Sequence, residues 1–135
     1  MAKIEVIEGI GKGYAQKLRG IGIATVEALL ERGASPKGRE EIVEGTGISG
    51  KLVLKWVNHA DLFRITGVGE EFAELLEASG VDTVVELALR RADNLTEKII
   101  EVNKMRPVMV RRLPTEAQVE GWIQEAKTLP RVLTY

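Results

Sequence analysis

Gly9, Gly11 and Gly13, with Ile10 and Lys12 between them, open a segment whose chemistry belongs to the main chain. The pattern returns. Gly9, Gly11, Ala15, Leu18, Gly22, Thr25, Val26 and Leu29 recur as Gly67, Gly69, Ala73, Leu76, Gly80, Thr83, Val84 and Leu87, at a constant offset of 58 with no gap. The repeated positions are glycines, small residues and core apolars rather than acids, bases or nucleophiles, so what is duplicated is a backbone geometry. A helix starting at Lys12 carries a cation and no acid in its first turn, which favours an anion at the positive end of the helix dipole. The second copy puts Glu70 and Glu71 at the matching place, where they already satisfy the dipole. That copy is either degenerate or suited to a basic protein partner.

Three other groups bear on chemistry. Gly47, Ser49 and Lys51 open a later helix, where serine and free amides hold a second phosphate or form a plain capped start. Lys104 to Arg112 reads KMRPVMVRR. Arg106, Arg111 and Arg112 there either bind phosphate or RNA bulges, or stay solvated while Val108, Met109 and Val110 pack between the copies. Trp56 and Trp122 read as core residues, His59 as a surface residue or a helix-end partner, and Glu70, Glu74 and Glu77 as a solvated helix face. With no cysteine and one histidine, neither a disulfide nor a thiolate or zinc site is expected. No nucleophile–base pair emerges, so no catalytic residue, cofactor or small-molecule substrate is expected.

The elements that position these residues are helices. Tyr14, Ala15 and Leu18 share one face, and Gly20 and Gly22 break the helix. Thr25 caps a second helix ending at Gly33, and Ser35 with Pro36 starts a third. Ser49 caps a fourth, Gly50 to Leu62, which turns Leu52, Val53, Trp56, Val57 and Ala60 inward. The second copy predicts helices at Glu70–Ala78, Thr83–Arg91 and Leu95–Val102, then a last helix capped by Thr115 and Gln118 as a capping box. The expected architecture is all-α: two duplicated units of about four helices, 1–62 and 63–135, packed into one compact body, the second with a longer basic loop at 104–114.

Gly-apolar-Gly followed by a small-residue helix resembles the helix-hairpin-helix motif, at GIGKGYAQKL (Gly9 to Leu18), GVGEEFAELL (Gly67 to Leu76) and, more weakly, TGISGKLVLKW (Thr46 to Trp56). The resemblance implies a tight glycine turn between helices, anchored by its apolar residue (Ile10, Val68, Ile48). Its outward amides grip one DNA phosphate without reading a base. The first half is similar to the small helical N-terminal domain of archaeal and eukaryotic RecA-like recombinases, which carries two such hairpins about a pseudo-twofold axis. The whole chain resembles an uncharacterised bacterial domain-of-unknown-function family of tandem helix-hairpin-helix proteins. That likeness extends to KWVNHADLFRI (Lys55 to Ile65) and VEGWIQEAKTLPRV (Val119 to Val132), and implies no established activity.

The net charge of −1 does not advertise a nucleic-acid binder, but residues 1–60 are slightly basic and Asp61 to Asn103 acidic. The two copies should therefore not serve an anionic partner equally. The start MAKIEVIEG does not read as a signal peptide and no apolar run spans a bilayer, so a soluble cytoplasmic protein is expected. Two functions remain open. One is weak, sequence-independent binding of DNA, or RNA, through Gly9, Ile10, Gly11, Lys12, Gly13, Lys17, Gly47, Ser49, Lys51, Arg106, Arg111 and Arg112. The other is a protein–protein adaptor with no nucleic-acid binding.

Overall fold

A computed structural model describes residues 2–105 and 110–135. The described residues form eight α-helices and one short 3-10 turn, with no strand beyond an isolated bridge between Lys3 and Thr25. The protein is all-α. Packing divides it into two units, Met1–Asp61 with Val132–Tyr135, and Leu62–Arg131. Among the described residues no helix is long and apolar enough to cross a membrane.

The first unit runs through the 3-10 turn Ile4–Val6, α1 (Lys12–Gly20), α2 (Val26–Arg32), α3 (Pro36–Thr46) and α4 (Gly50–Leu62, whose last residue joins the second unit). Short polar residues start α2, α3 and α4. Thr25 accepts the Ala28 N–H at 3.0 Å and Ser35 accepts that of Gly38 at 3.0 Å, with Pro36 in the first turn of α3. Gly47 stops α3 in the left-handed region at φ +75°, its N–H on the Val43 carbonyl at 2.8 Å. Ala15 and Leu18 of α1, Leu29 of α2, Ile42 of α3 and Trp56 of α4 are all buried. Tyr14 meets Trp56 edge-on at 5.1 Å, an arrangement worth about 0.5–1.5 kcal/mol beyond area burial.

The C-terminal residues belong to this unit rather than to the second. Leu133 is buried, the Thr134 N–H donates to the Ala34 carbonyl at 2.8 Å, and Arg39 donates to the Thr134 carbonyl at 2.7 Å. The Tyr135 hydroxyl donates to Asn58 at 3.2 Å. The polar run at the end of α4 is correspondingly closed: Asn58, His59 and Asp61 are all buried, which corrects the reading of His59 as a surface residue.

The second unit holds α5 (Glu70–Ala78), α6 (Val84–Ala88), α7 (Ala92–Met105) and α8 (Glu116–Thr128). α6 is shorter than the sequence predicts and α7 longer. Asp93 lies in the first turn of α7, where its carboxylate accepts the Asn94 N–H at 2.7 Å, pairs with Arg91 at 2.8 Å and meets the positive end of the helix dipole. Lys104, expected in the loop, lies inside α7. Val108 and Met109 lie outside the described residues, while Val110 is buried in this unit's own core with Leu76, Ile99 and Trp122. Thr115 and Gln118 form the full capping box of α8.

The two units repeat the same hydrogen bonds. Ile7 to Ile4 (3.1 Å) matches Ile65 to Leu62 (3.1 Å), Ile10 to Ile7 (3.1 Å) matches Val68 to Ile65 (3.1 Å), and Ile23 to Leu18 (2.9 Å) matches Val81 to Leu76 (2.8 Å). Arg32 donates to the Ile21 carbonyl at 2.9 Å, and Arg90, 58 positions on, to that of Gly80 at 2.8 Å. Phe72 meets Trp122 at 5.2 Å much as Tyr14 meets Trp56.

Two glycines make opposite predictions. A Cβ on Gly38 would overlap the Arg32 carbonyl oxygen, whereas one on Gly13 meets nothing within 4 Å. In chemical denaturation of the full chain, Gly38→Ala should lower stability by about 1–3 kcal/mol. Gly13→Ala should leave it unchanged or raise it by about 0.5 kcal/mol.

Candidate nucleic-acid interface

Among the α-helices whose N-caps are described, α2, α3, α6 and α8 begin with a threonine or serine bonded to its own helix, and α1 and α5 begin with a bare glycine. Gly11 precedes α1 in extended backbone (φ −80°, ψ −177°), and the first amide to find an intrahelical acceptor is that of Ala15, on Gly11 at 2.9 Å. The N–H groups of Lys12, Gly13 and Tyr14 have no acceptor among the described residues. All three residues are exposed, and an added Cβ on Gly11 meets nothing within 4 Å. Such amides at a helix's positive end suit an anion.

The loop before α1 is held from beneath. Ile10 is buried at 4 % exposure, so it offers its main chain and not its side chain. Gly9 sits at φ +92°, where other residues are strained, and passes so close to the Trp56 indole nitrogen that a Cβ would lie 3.4 Å from it. A hollow of about 280 Å³ lies beside the amides, lined by Gly11, Gly13, Tyr14 and Lys17. Sequence reasoning assigned Tyr14 to the core face. Its ring packs on Trp56 but remains 37 % exposed. The signal was its position, three residues after an uncapped glycine.

Charge around α1 is cationic. Lys12 and Lys17 are exposed and without a carboxylate partner among the described residues. Arg19 is already engaged, donating to both carboxylate oxygens of Glu5 at 2.7 Å each. That hydrogen-bonded pair, with a smaller backbone contribution, holds the Glu5 carboxyl below the ordinary carboxylate range. Glu8, also exposed, is the acid that precedes Gly9.

The other predicted residues fall differently. The α4 start is partly self-satisfied: the Gly47 N–H goes to Val43, the Ile48 N–H to the Thr46 hydroxyl at 3.1 Å, and Ser49 accepts the Leu52 N–H at 3.3 Å. Ser49 is thus the cap of its own helix, the plainer of the two readings its position offers. Lys51 is exposed beside it, with no partner among the described residues. Arg111 and Arg112 are exposed in the second unit, likewise unpaired among the described residues, and Arg106 lies outside them. α5 repeats the glycine start, with Gly67 at φ +87° and Val68 buried, but places Glu70 and Glu71 in its first turn. Glu70, Glu74 and Glu77 are half-buried, with partners, rather than a fully solvated face. Among the described residues no group of three or more His, Cys, Asp or Glu could hold a metal ion.

Residues 8–129 match the family model described as Domain of unknown function (DUF4332). The chain belongs to that family. No curated protein and no solved structure matches it. The matched span takes in both glycine starts, at Gly11 and Gly69, and α8 to its end at Thr128.

The Glu5–Arg19 pair gives a titration to check. A lowered carboxyl pKa adds stability at pH values above the ordinary carboxylate range and loses it as pH falls through the lowered value. Carboxyl-detected NMR should place the Glu5 midpoint below that range in the wild type. It should return to the range in Arg19→Gln, whose acid unfolding loses this contribution.

Proposed function

We propose that the protein is a non-catalytic, cytoplasmic, bacterial tandem helix-hairpin-helix protein that holds the phosphate backbone of DNA, or of RNA, weakly and without reading bases. The first unit carries the contact. The observation behind this reading is the start of α1, where three consecutive amides lack an internal acceptor beside Lys12 and Lys17. Convergent N–H donors and the helix dipole favour a phosphate oxygen there, and the two ammonium groups add attraction that salt screens.

The similarity of the first half to the N-terminal domain of RecA-like recombinases suggests paired loops, with Gly47 to Lys51 as the second. Because Thr46 and Ser49 occupy part of that start, its contribution reduces to Lys51 and the amides left over. One full grip and one partial grip neutralise few phosphates, so affinity should lie near the non-specific range, a Kd of about 10⁻⁴–10⁻⁶ M, with a shallow salt slope. Glu70 and Glu71 argue against an equivalent grip in the second unit.

Fluorescence anisotropy with a labelled duplex of mixed sequence, at low and moderate salt, tests the reading. Lys12→Glu should abolish the salt-sensitive binding. Gly11→Asp is the sharper variant, since its backbone is already extended and its Cβ position open. The aspartate caps the free amides, so stability should hold or rise by a few tenths to about 1 kcal/mol while binding disappears. Binding that survives both variants, or is absent in the wild type at low salt, sinks the phosphate reading and leaves the adaptor.

A further inference from the structure

The second unit carries an exposed apolar feature that the phosphate reading does not use. Leu89 and Met105 are 74 % and 76 % exposed, although most large apolar side chains of the unit are buried. Each lines a hollow. The first, of about 450 Å³, lies where the end of α6 meets α7 and includes Leu89, Arg91, Asn94 and Lys98. The second, of about 210 Å³, continues along α7 against the end of α5 and is lined by Ala78, Lys98, Val102 and Met105. The two share Lys98. Leu95, Lys98, Val102 and Met105 follow one another at helical spacing on one stripe of α7, about 15 Å long at 1.5 Å per residue.

The charge of this furrow runs opposite to that of its surroundings. Among the described residues no acid lines either hollow, in the half of the chain richest in acids. Its arginines are neutralised in place, Arg90 by Glu86 and Arg91 by Asp93, each at 2.8 Å. Lys98 is exposed and has no ion pair or hydrogen bond among the described residues. The furrow therefore joins two exposed apolar side chains, Leu89 and Met105, to a lysine with no carboxylate partner among the described residues.

We propose that this furrow docks an amphipathic helix of a partner protein, whose apolar residues cover Leu89 and Met105 and whose carboxylate meets Lys98. Apolar anchors flanking a single charge match a helix-in-groove contact. A nucleic-acid strand would gain nothing from Leu89 or Met105 and would find a single available cation. The site is separate from α1, so it stands or falls independently of phosphate binding.

The test starts with selection of displayed random peptides of about four helical turns against the full chain. Enriched peptides should carry a carboxylate between apolar residues at helical spacing. Synthetic versions should bind Lys98→Glu about three- to fivefold more weakly, the size of one exposed ion pair. A peptide with that carboxylate replaced by lysine should recover binding to Lys98→Glu. Leu89→Glu should weaken the original peptide about tenfold. Both substitutions sit on exposed side chains, and far-ultraviolet circular dichroism checks that the fold survives. The proposal is overturned if no peptide is enriched, or if enriched peptides ignore both substitutions. It is equally overturned if Lys98→Glu abolishes oligonucleotide binding instead, or if Leu89→Glu dissociates a self-association of the chain, which would make the furrow a nucleic-acid or homotypic surface.

Discussion

The left-handed turn at Gly9, set against the Trp56 indole, is the constraint on which the exposed start of α1 depends. A glycine at φ +92° lets the chain turn there without strain, and Ile10 then drops into the core. The loop is thereby fixed on its inner side by packing rather than by hydrogen bonds from α1. The first amides of that helix are left facing water, beside Tyr14 and Lys17. A side-chain cap at Gly11 would be the ordinary solution for a helix start, and other helices of this chain use one. Its absence here is what gives the surface a chemical capacity.

The two units show how one backbone design serves different electrostatics. Gly67 and Val68 hold the α5 loop as Gly9 and Ile10 hold that of α1, and Trp122 lies beneath as Trp56 does. The difference is one of charge: Lys12 follows the first glycine start, and Glu70 and Glu71 follow the second. Carboxylates in the first turn meet the dipole that an incoming phosphate would otherwise meet. The second unit offers instead the trough along α7, where exposed leucine and methionine flank Lys98. The two units thus differ in the charge at matching surface positions while their cores stay apolar at matching positions, with Ile10 and Ile23 answered by Val68 and Val81.

Much of this was legible in the residues because the signals were local. Ser35 with Pro36, Ser49, and Thr115 with Gln118 mark helix starts within a few residues, and the structure begins α3, α4 and α8 there. The apolar residues of the glycine turns, Ile10, Ile48 and Val68, are all buried. Long-range contacts were not legible. The attachment of Thr134 to Ala34 and of Tyr135 to Asn58 joins residues 100 and 77 positions apart, and nothing in the α4 polar run announces that a distant segment reaches it. The early start of α7 also escaped notice, because Asp93 supports it from inside the first turn rather than from the cap position. At the candidate site the glycine loop and its lysines were visible. The bond from the Ile48 N–H to the Thr46 hydroxyl was not, and Ser49, read as a cap, could equally have served a ligand.

The central claim concerns three named amides, and ¹H–¹⁵N NMR observes them one by one. As a short duplex is titrated into the full chain at low salt, the resonances of Lys12, Gly13 and Tyr14 should move downfield together, while those of Glu70, Glu71 and Phe72 at the matching start of α5 stay in place. Shifts confined to other parts of the chain, or equal shifts at both helix starts, would contradict the account.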